Sequence, residues 1–445
     1  MTAPYNCYKR SSFLLLFFLT SLCTLTFAQD LKFDFGTGKT VKGYIKVQPD
    51  NIYSNEKRYG FVAGTKAKTI NRKTKSSIQS DYVTSDSSFF FSVKLPEGNY
   101  DVKLFLGDTE GTSATTVKVE CRRLMLENVQ TKKGELTERN FTVNLRSAQI
   151  NEKEKIALKP REKEYLHWDD QLTFEFCGKE PKIQALEITR NDKAKTIFLA
   201  GNSTVVDQAY EPFTAWGNMI PAFFKPGSVA IANYAESGES LRSFVAEKRL
   251  DKIISQMKAG DYLFIEFAHN DQKQKDLLPF EGYKALLEKF ISETRKKNGI
   301  PVLVTSMHRR SFDSTGHIIN TLGDFPEAAR QTASEQKVAM IDLNAMSKIL
   351  WETLGPEESK KAFVHYPANS FPGRDKEIKD DTHFSNYGAY QLAKCIVEGI
   401  KINDPGLAGY LKTDLPTYDP AHPDPVKDFY FPVSPLVTVV KPDGN

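Results

Sequence analysis

From Leu31 to about Arg190, apolar and polar residues alternate in short runs, which is typical of β-strands separated by turns. The apolar residues 89–95 are followed by the turn sequence Pro-Glu-Gly-Asn at 96–99 and by an alternating run at 100–106. Further strand-like runs lie at residues 116–120, 140–145, 172–177 and 185–189. Short strands at this spacing predict an all-β sandwich or jelly roll.

From Thr196 onward the period changes, and short apolar runs alternate with longer amphipathic segments. The predicted strands cover residues 197–200, 229–233, 262–267, 302–305 and 338–343. The predicted helices cover residues 241–257, 280–297, 326–336, 345–354 and 387–400. Strands that alternate with helices in this way predict an α/β region with a parallel sheet and helices on both of its faces.

Both ends of the chain differ from these two regions. Lys9 and Arg10 precede an apolar stretch at residues 11–27, and Thr-Phe-Ala at 26–28 fits the pattern of a cleavage site before Gln29. The apolar stretch is short for a membrane span, so we expect a signal peptide at residues 1–28 and a mature protein in the periplasm or medium, without a membrane span. Beyond residue 405 the chain is proline-rich, and an edge strand is one option for residues 437–440.

The sequence therefore predicts four segments. They are the signal peptide at 1–28, a β-sandwich at 29–192, an α/β domain at 193–405, and a segment at 406–445 that wraps around the molecule, with a return to the β-sandwich as one route. The sequence leaves the oligomeric state open.

Composition excludes some classes of function. The net charge of +4 over 445 residues is small, which argues against nucleic acid as a main partner. Cleavage after residue 28 would leave three cysteines, too few for a disulfide scaffold; Cys121 and Cys177 either bridge or remain free thiols, and Cys395 is the third. The seven histidines show no metal-binding spacing, so we expect no metal site.

Three separated residues have the chemistry of nucleophilic ester hydrolysis. Ser203 follows a predicted strand, so its hydroxyl is expected at the carboxyl edge of the sheet. A serine hydroxyl needs an imidazole to take its proton and a carboxylate to orient that imidazole. His383 and Asp380, in a predicted loop or first helical turn, provide both. Asp381 competes with Asp380 for the orienting role, and the spacing of three residues favours Asp380.

Two further residues are expected at the same edge of the sheet. Gly238 follows the second predicted strand and Asn270 the third. The backbone N–H groups of Ser203 and Gly238 and the side-chain amide of Asn270 would then converge on an oxyanion. Taken singly, Ser203 also fits a helix cap, and Gly238 and Asn270 fit turn positions. The register that they share with His383 favours the catalytic interpretation.

These blocks resemble a known superfamily. Gly-Asn-Ser-Thr at 201–204, Gly238, His-Asn-Asp at 269–271 and the pair Asp380 and His383 are similar to the four blocks of the SGNH (GDSL-type) hydrolases. Ala-Trp-Gly-Asn at 215–218, the residues at 237–244 and Asp-Thr-His-Phe-Ser at 381–385 resemble the rhamnogalacturonan acetylesterase branch. The N-terminal β region, which opens with Phe-Asp-Phe-Gly at 33–36, resembles galactose-binding-like sandwiches.

The resemblance implies a fold and an activity. It implies a flavodoxin-like three-layer domain in which Ser203, His383 and Asp380 remove acetyl groups from a pectic polysaccharide without a cofactor, while Ser203, Gly238 and Asn270 hold the oxyanion. Three other hypotheses remain open. The first is an esterase for another substrate, namely acetylated xylan, a different acetylated glycan or a short acyl lipid. The others are an acyltransferase and a non-catalytic glycan-binding protein in which the sandwich carries the function.

Overall fold

The computed structural model describes residues 1–2, 30–74 and 78–443. Except for Met1 and Thr2, the predicted signal peptide therefore lies outside the described residues.

Two packed sheets form the N-terminal sandwich. The first contains β1 (Leu31–Phe35), β2 (Ile45–Val47), β4 (Lys68–Asn71), β5 (Asp81–Thr84), β7 (Gly98–Gly107), β10 (Leu136–Leu145) and β12 (Lys182–Arg190). The second contains β3 (Tyr59–Phe61), β6 (Phe89–Lys94), β8 (Ser113–Val119), β9 (Arg123–Thr131) and β11 (Gln171–Glu180). Phe33 and Phe35 of the first sheet pack edge-on against Phe91 of the second, with ring centroids 5.2 and 5.1 Å apart. The all-β prediction is confirmed.

The sequence at 89–106 does not form a hairpin, although both of its strands exist. β6 pairs with β3 and β11 in one sheet, whereas β7 pairs with β10 and β12 in the other. The turn at 95–97 therefore carries the chain from one sheet to the opposite one. The buried phenylalanines of β6 and the apolar residues of β7 line the two faces of the same core.

A five-stranded parallel sheet begins directly after the sandwich. Its strands are β13 (Lys195–Gly201), β14 (Val229–Asn233), β15 (Tyr262–Glu266), β16 (Ile300–Val304) and β17 (Ala339–Ile341), in the spatial order β14-β13-β15-β16-β17. This is the flavodoxin-like order, in which the first and third strands flank the point where the winding direction changes. Ligands bind outside the carboxyl ends of the strands at that point.

Helices cover both faces of the parallel sheet, as predicted. They are α1 (Trp216–Met219), α2 (Leu241–Ala246), α3 (Arg249–Gln256), α4 (Lys284–Lys296), α5 (Phe325–Gln336), α6 (Leu343–Glu358), α7 (Asn386–Asn403) and α8 (Pro405–Ala408). Along β13, Ile197 and Leu199 belong to one buried cluster and Phe198 and Ala200 to the other. A strand buried on both faces explains the continuous apolar run at this position.

The helix predicted at 241–257 is two helices. Lys248, between α2 and α3, has φ of +62°, a left-handed conformation that cannot continue an α-helix. The apolar face continues across the break because Phe244 and Leu250 are both buried in the same cluster. The helical period of the apolar residues predicts the buried face correctly, but it does not predict the break between the two helices.

Candidate active site

Ser203 lies on a tight turn at the carboxyl end of β13. The side-chain oxygen of Asn202 accepts hydrogen bonds from the backbone N–H of Thr204 at 3.0 Å and from its hydroxyl at 2.8 Å. The carbonyl of Asn202 accepts from the N–H groups of Val205 and Val206. These bonds fix the backbone on both sides of Ser203 and direct its hydroxyl across the edge of the sheet.

The structure brings Ser203, His383 and Asp380 into one hydrogen-bonded chain. His383 Nε2 lies 3.0 Å from Ser203 Oγ, and His383 Nδ1 lies 2.8 Å from Asp380 Oδ2. The other oxygen of Asp380 accepts from the backbone N–H groups of Thr382 and His383, at 2.9 and 3.0 Å. One oxygen of the carboxylate is therefore held by the backbone, while the other orients the imidazole.

The prediction that Asp380 and His383 lie in a loop or first helical turn was wrong. Both belong to β19 (Ile378–Phe384), which pairs antiparallel with β18 (Phe363–Tyr366). The register of this pair shifts next to Phe363, and the irregularity accompanies the turn of backbone around the Asp380 carboxylate. Ser385 then caps α7 by accepting from the Gly388 N–H. Strand pairing with a distant segment gives no local signal in residues 380–383.

Asp381 does not contact the imidazole of His383. Its carboxylate binds His365 and Arg310, each at 2.8 Å, on the other side of β19. Asp380 is almost fully buried, and burial by itself raises the pKa of its carboxyl group. The hydrogen bonds from His383 and Thr382 outweigh burial and hold the pKa of Asp380 below its ordinary value, so the group is ionised at neutral pH.

Gly238 and Asn270 lie beside each other at the same edge. Gly238 has φ of +85°, which favours glycine, and Asn270 donates its side-chain amide to the Glu239 carbonyl at 2.9 Å. The Glu236 N–H donates to the Gly201 carbonyl at 3.3 Å, which connects this loop to the end of β13. Within the described residues, the backbone N–H groups of Ser203 and Gly238 have no protein acceptor. They are therefore available to an oxyanion.

Sequence reasoning missed the residues that hold the Gly238 loop. Lys159 and Arg161, in the segment that follows β10, donate to the Ser237 carbonyl at 2.7 and 2.8 Å. Arg161 also forms an ion pair with the buried Glu236 at 2.7 Å. Two basic residues in a polar connecting segment are common in any sequence, so only their contacts reveal this role.

The sandwich also supports the loop beside His383. Arg122, which precedes β9, forms a buried ion pair with Glu211 at 2.6 Å and donates to the Phe213 carbonyl at 2.8 Å. The ring of Phe213 meets the His383 ring edge-on, with centroids 5.8 Å apart. The buried Arg146 contacts Asp207 at 3.1 Å. The sandwich and the α/β region thus build one side of the site together.

Glu266, at the end of β15, lies buried beneath the serine turn. Its two oxygens lie 3.0 Å from the Thr204 hydroxyl and 2.7 Å from the Trp216 Nε1 donor. Burial raises the pKa of Glu266 to about 8, despite these hydrogen bonds. The Thr204 hydroxyl has a single hydrogen, and both of its neighbours, the Asn202 side-chain oxygen and a Glu266 oxygen, are acceptors. If Glu266 is protonated, it donates to the Thr204 hydroxyl while that hydroxyl donates to Asn202, so both contacts are satisfied. Trp216 is fully buried, which excludes a sugar-stacking role for its ring.

The Glu266→Gln substitution is expected to weaken the dependence of thermal stability on pH. Because the folded pKa of Glu266 is raised from 4.5 to about 8, its contribution to stability is complete below about pH 4.5 and is lost as the pH rises through about 8. Glutamine keeps the shape and cannot ionise. From about pH 6 to about pH 9, the melting temperature should therefore fall more steeply in the wild type than in the variant. Glu281→Gln, at an exposed position, is the control; equal slopes in wild type and Glu266→Gln would contradict the prediction.

The cysteines, metal-ligating side chains and helices complete the comparison with the sequence predictions. Cys121, Cys177 and Cys395 are buried free thiols, so Cys121 and Cys177 do not bridge. Across residues 30–74 and 78–443, no group of three His, Cys, Asp or Glu side chains is arranged to hold a metal ion. No helix in the part of the chain that the structure describes is both long and apolar enough to cross a membrane.

A flavodoxin-like parallel sheet with a Ser–His–Asp chain at its carboxyl edge defines the SGNH (GDSL-type) class of serine hydrolases. Residues 31–151 match the family model described as beta-agarase/YXIM esterase-like, galactose-binding domain-like. The rhamnogalacturonan acetylesterase RhgT of Bacillus subtilis (strain 168) is 44% identical over 207 residues, which cover 46% of this chain and 89% of RhgT. The chain belongs to the rhamnogalacturonan acetylesterase family.

A second relative matches most of the chain, sandwich included. The uncharacterized esterase YxiM of Bacillus subtilis (strain 168) is 25% identical over 391 residues, which cover 85% of this chain and 92% of YxiM. A crystal structure of YxiM is 24% identical, with a TM-score of 0.45, and the match covers 86% of this chain and 100% of that one.

Proposed function

We propose that the protein is a serine esterase that removes acetyl groups from acetylated rhamnogalacturonan, a pectic polysaccharide. The observation that carries this proposal is the hydrogen-bonded chain from Ser203 through His383 to Asp380. Membership of the family, and the 44% identity to RhgT, support an acetylated pectic substrate. The apolar segment at residues 11–27 supports export to the periplasm or the medium.

The first half of the reaction acylates the enzyme. His383 Nε2 takes the proton of Ser203 as the serine oxygen attacks the acetyl carbonyl. The negative charge that forms on the carbonyl oxygen is held by the N–H groups of Ser203 and Gly238 and by the Asn270 amide. Asp380 stabilises the imidazolium and keeps the proton on Nδ1. His383 then gives its proton to the departing sugar hydroxyl, and the acetyl group remains on Ser203.

The second half releases acetate. His383 takes a proton from water, which attacks the acetyl-serine ester, and the same three donors hold the second oxyanion. Collapse of this intermediate returns the proton to Ser203. Neither half uses a metal or an organic cofactor.

A panel of acetylated polysaccharides tests the substrate. Acetate release, measured enzymatically, is expected to show a higher kcat/KM for acetylated rhamnogalacturonan than for acetylated xylan. A preference for xylan would favour the alternative deacetylase. Acetyl transfer to an added sugar that outcompetes water would indicate an acyltransferase. Retention of polysaccharide by a protein that releases no acetate from any member would instead favour a non-catalytic glycan-binding protein.

A further inference from the structure

A cavity of about 280 Å³ adjoins the Ser203 site on the side of the connecting segment. Four parts of the chain line it: the connecting segment at Arg161 and Tyr165, the loop at 208–213, Ser237 of the Gly238 loop, and the tail at 438–443. Phe213 joins the cavity to the triad through its contact with His383. The volume is close to the lower end of the ~300–1,000 Å³ that is common for small-ligand pockets.

The guanidinium group of Arg161 has two edges in this cavity. One edge binds the Gly238 loop, and the other binds the tail. Its Nε and Nη2 atoms bind the Glu236 carboxylate at 3.1 and 2.7 Å, and Nη2 also binds the Ser237 carbonyl. These bonds hold the guanidinium plane in place. The remaining nitrogen, Nη1, binds the carboxylate of Asp443 from the tail. The structure therefore contains a carboxylate bound in this cavity, and the carboxylate belongs to the chain itself.

The tail lies against Asp380 and Gly238 at this point. Lys441 Nζ lies 3.3 Å from Asp380 Oδ2, and a Cβ placed on Gly238 would be 2.9 Å from the Cβ of Asp443. Ser203 and His383 are buried, with 2% and 1% of their surface exposed to solvent. The end of the tail therefore lies at the rim of the site, beside Asp380 and Gly238.

The end of the tail is weakly held. Upstream, Leu436 and Thr438 exchange backbone hydrogen bonds with Glu211. In the described part of the chain, residues 441–443 make no backbone hydrogen bond. Their ion pairs to Asp380 and Arg161 involve Lys441 and Asp443 side chains that are 46% and 60% exposed. Exposed ion pairs contribute little to stability, so a competing carboxylate of the substrate can replace Asp443.

We propose that this cavity is a uronate subsite, in which Arg161 binds the carboxylate of a uronic acid sugar of the substrate and from which that sugar displaces Asp443. This inference rests on the proposed function, since rhamnogalacturonan carries one carboxylate on each of its galacturonic acid residues. Arg161 matches a carboxylate in charge and in planar geometry. Tyr165 and Tyr210, with ring centroids 5.8 Å apart, offer aromatic surface to the sugar. Glu164, at the exposed rim, is the other acidic lining residue.

Calorimetric titration with trigalacturonate and with its methyl ester tests the subsite without turnover. The wild type is expected to bind the free acid at least about 10-fold more tightly than the ester, because only the acid offers a charge-assisted hydrogen bond. Arg161→Gln should remove this difference. Asp443→Asn should tighten binding of the acid by about 3- to 10-fold, because an internal competitor is weakened. Asp428→Asn removes the same charge from an exposed position of the tail and should behave like the wild type.

Two results would overturn the subsite: equal affinity of the wild type for acid and ester, or identical affinity of Asp443→Asn and wild type for the acid. Because Arg161 also binds the Ser237 carbonyl, a melting curve is needed to show that Arg161→Gln is folded. If that variant fails to fold, Asp443→Asn tests the subsite by itself. Hydrolysis of p-nitrophenyl acetate is measured separately. Its absence would count against the esterase, whereas the titrations report only on the uronate subsite.

Discussion

Replacing Ser203 with alanine is expected to lower kcat for acetate release by about 10⁴- to 10⁶-fold. The alanine side chain provides no nucleophile. What remains is the stabilisation of the oxyanion by the N–H groups of residue 203 and Gly238 and by the Asn270 amide. The substitution removes one buried oxygen atom and leaves the hydrogen bonds of Asn202 to the turn in place. Acetate release from acetylated rhamnogalacturonan, measured at saturating substrate, gives the magnitude.

The control for this variant is Ser334→Ala, on the exposed face of α5 and far along the chain from the site. It should retain the wild-type rate. Ser203→Ala should also keep the wild-type melting temperature and its retention on a polysaccharide affinity gel, because the sugar contacts are separate from the nucleophile. Acetate release by Ser203→Ala within about 10-fold of the wild-type rate would exclude Ser203 as the nucleophile.

The Asp380→Asn substitution is expected to lower kcat by about 10⁴-fold at neutral pH. The amide oxygen can still accept from the Thr382 and His383 N–H groups, so the backbone turn is preserved. The amide nitrogen then faces His383 Nδ1 as a donor and favours the tautomer whose Nε2 carries a hydrogen. That imidazole cannot take the proton of Ser203. The pre-steady-state rate of acetyl-enzyme formation measures the loss at the step where it arises.

Asp381→Asn is the matched control for Asp380→Asn. It makes the same chemical change one residue away, at a half-exposed carboxylate that binds Arg310 and His365. The Asp381 variant should keep its rate within about 10-fold of the wild type. A larger loss in Asp381→Asn than in Asp380→Asn would reverse the assignment of the orienting carboxylate.

Local signals were sufficient for much of the architecture. Short, continuous apolar runs predict β13 and β14, because both faces of these strands are buried. The helical period of the apolar residues predicts α7. Ser203, Gly238 and Asn270 were placed at one edge by a general rule, since parallel strands end at the same side of the sheet.

Other features depend on partners far away in the chain. β19 is defined by its pairing with residues 363–366, and the alternation inside residues 378–384 is too irregular to reveal a strand. β6 and β7 look like a hairpin locally, yet each pairs with strands of a different sheet. In both cases the pairing energy comes from distant residues.

By itself, the sequence determined the two kinds of fold, their order along the chain and the three residues proposed for catalysis, because strand and helix periods and the spacing of Asp380 and His383 are local. Only the tertiary structure decided that Arg122 and Arg161 of the N-terminal region support the site and that Asp443 lies on Arg161. Neither the two arginines nor the tail aspartate belongs to a local sequence pattern that marks these roles. Their roles arise from charges and carbonyl groups that chain folding brings within hydrogen-bond distance.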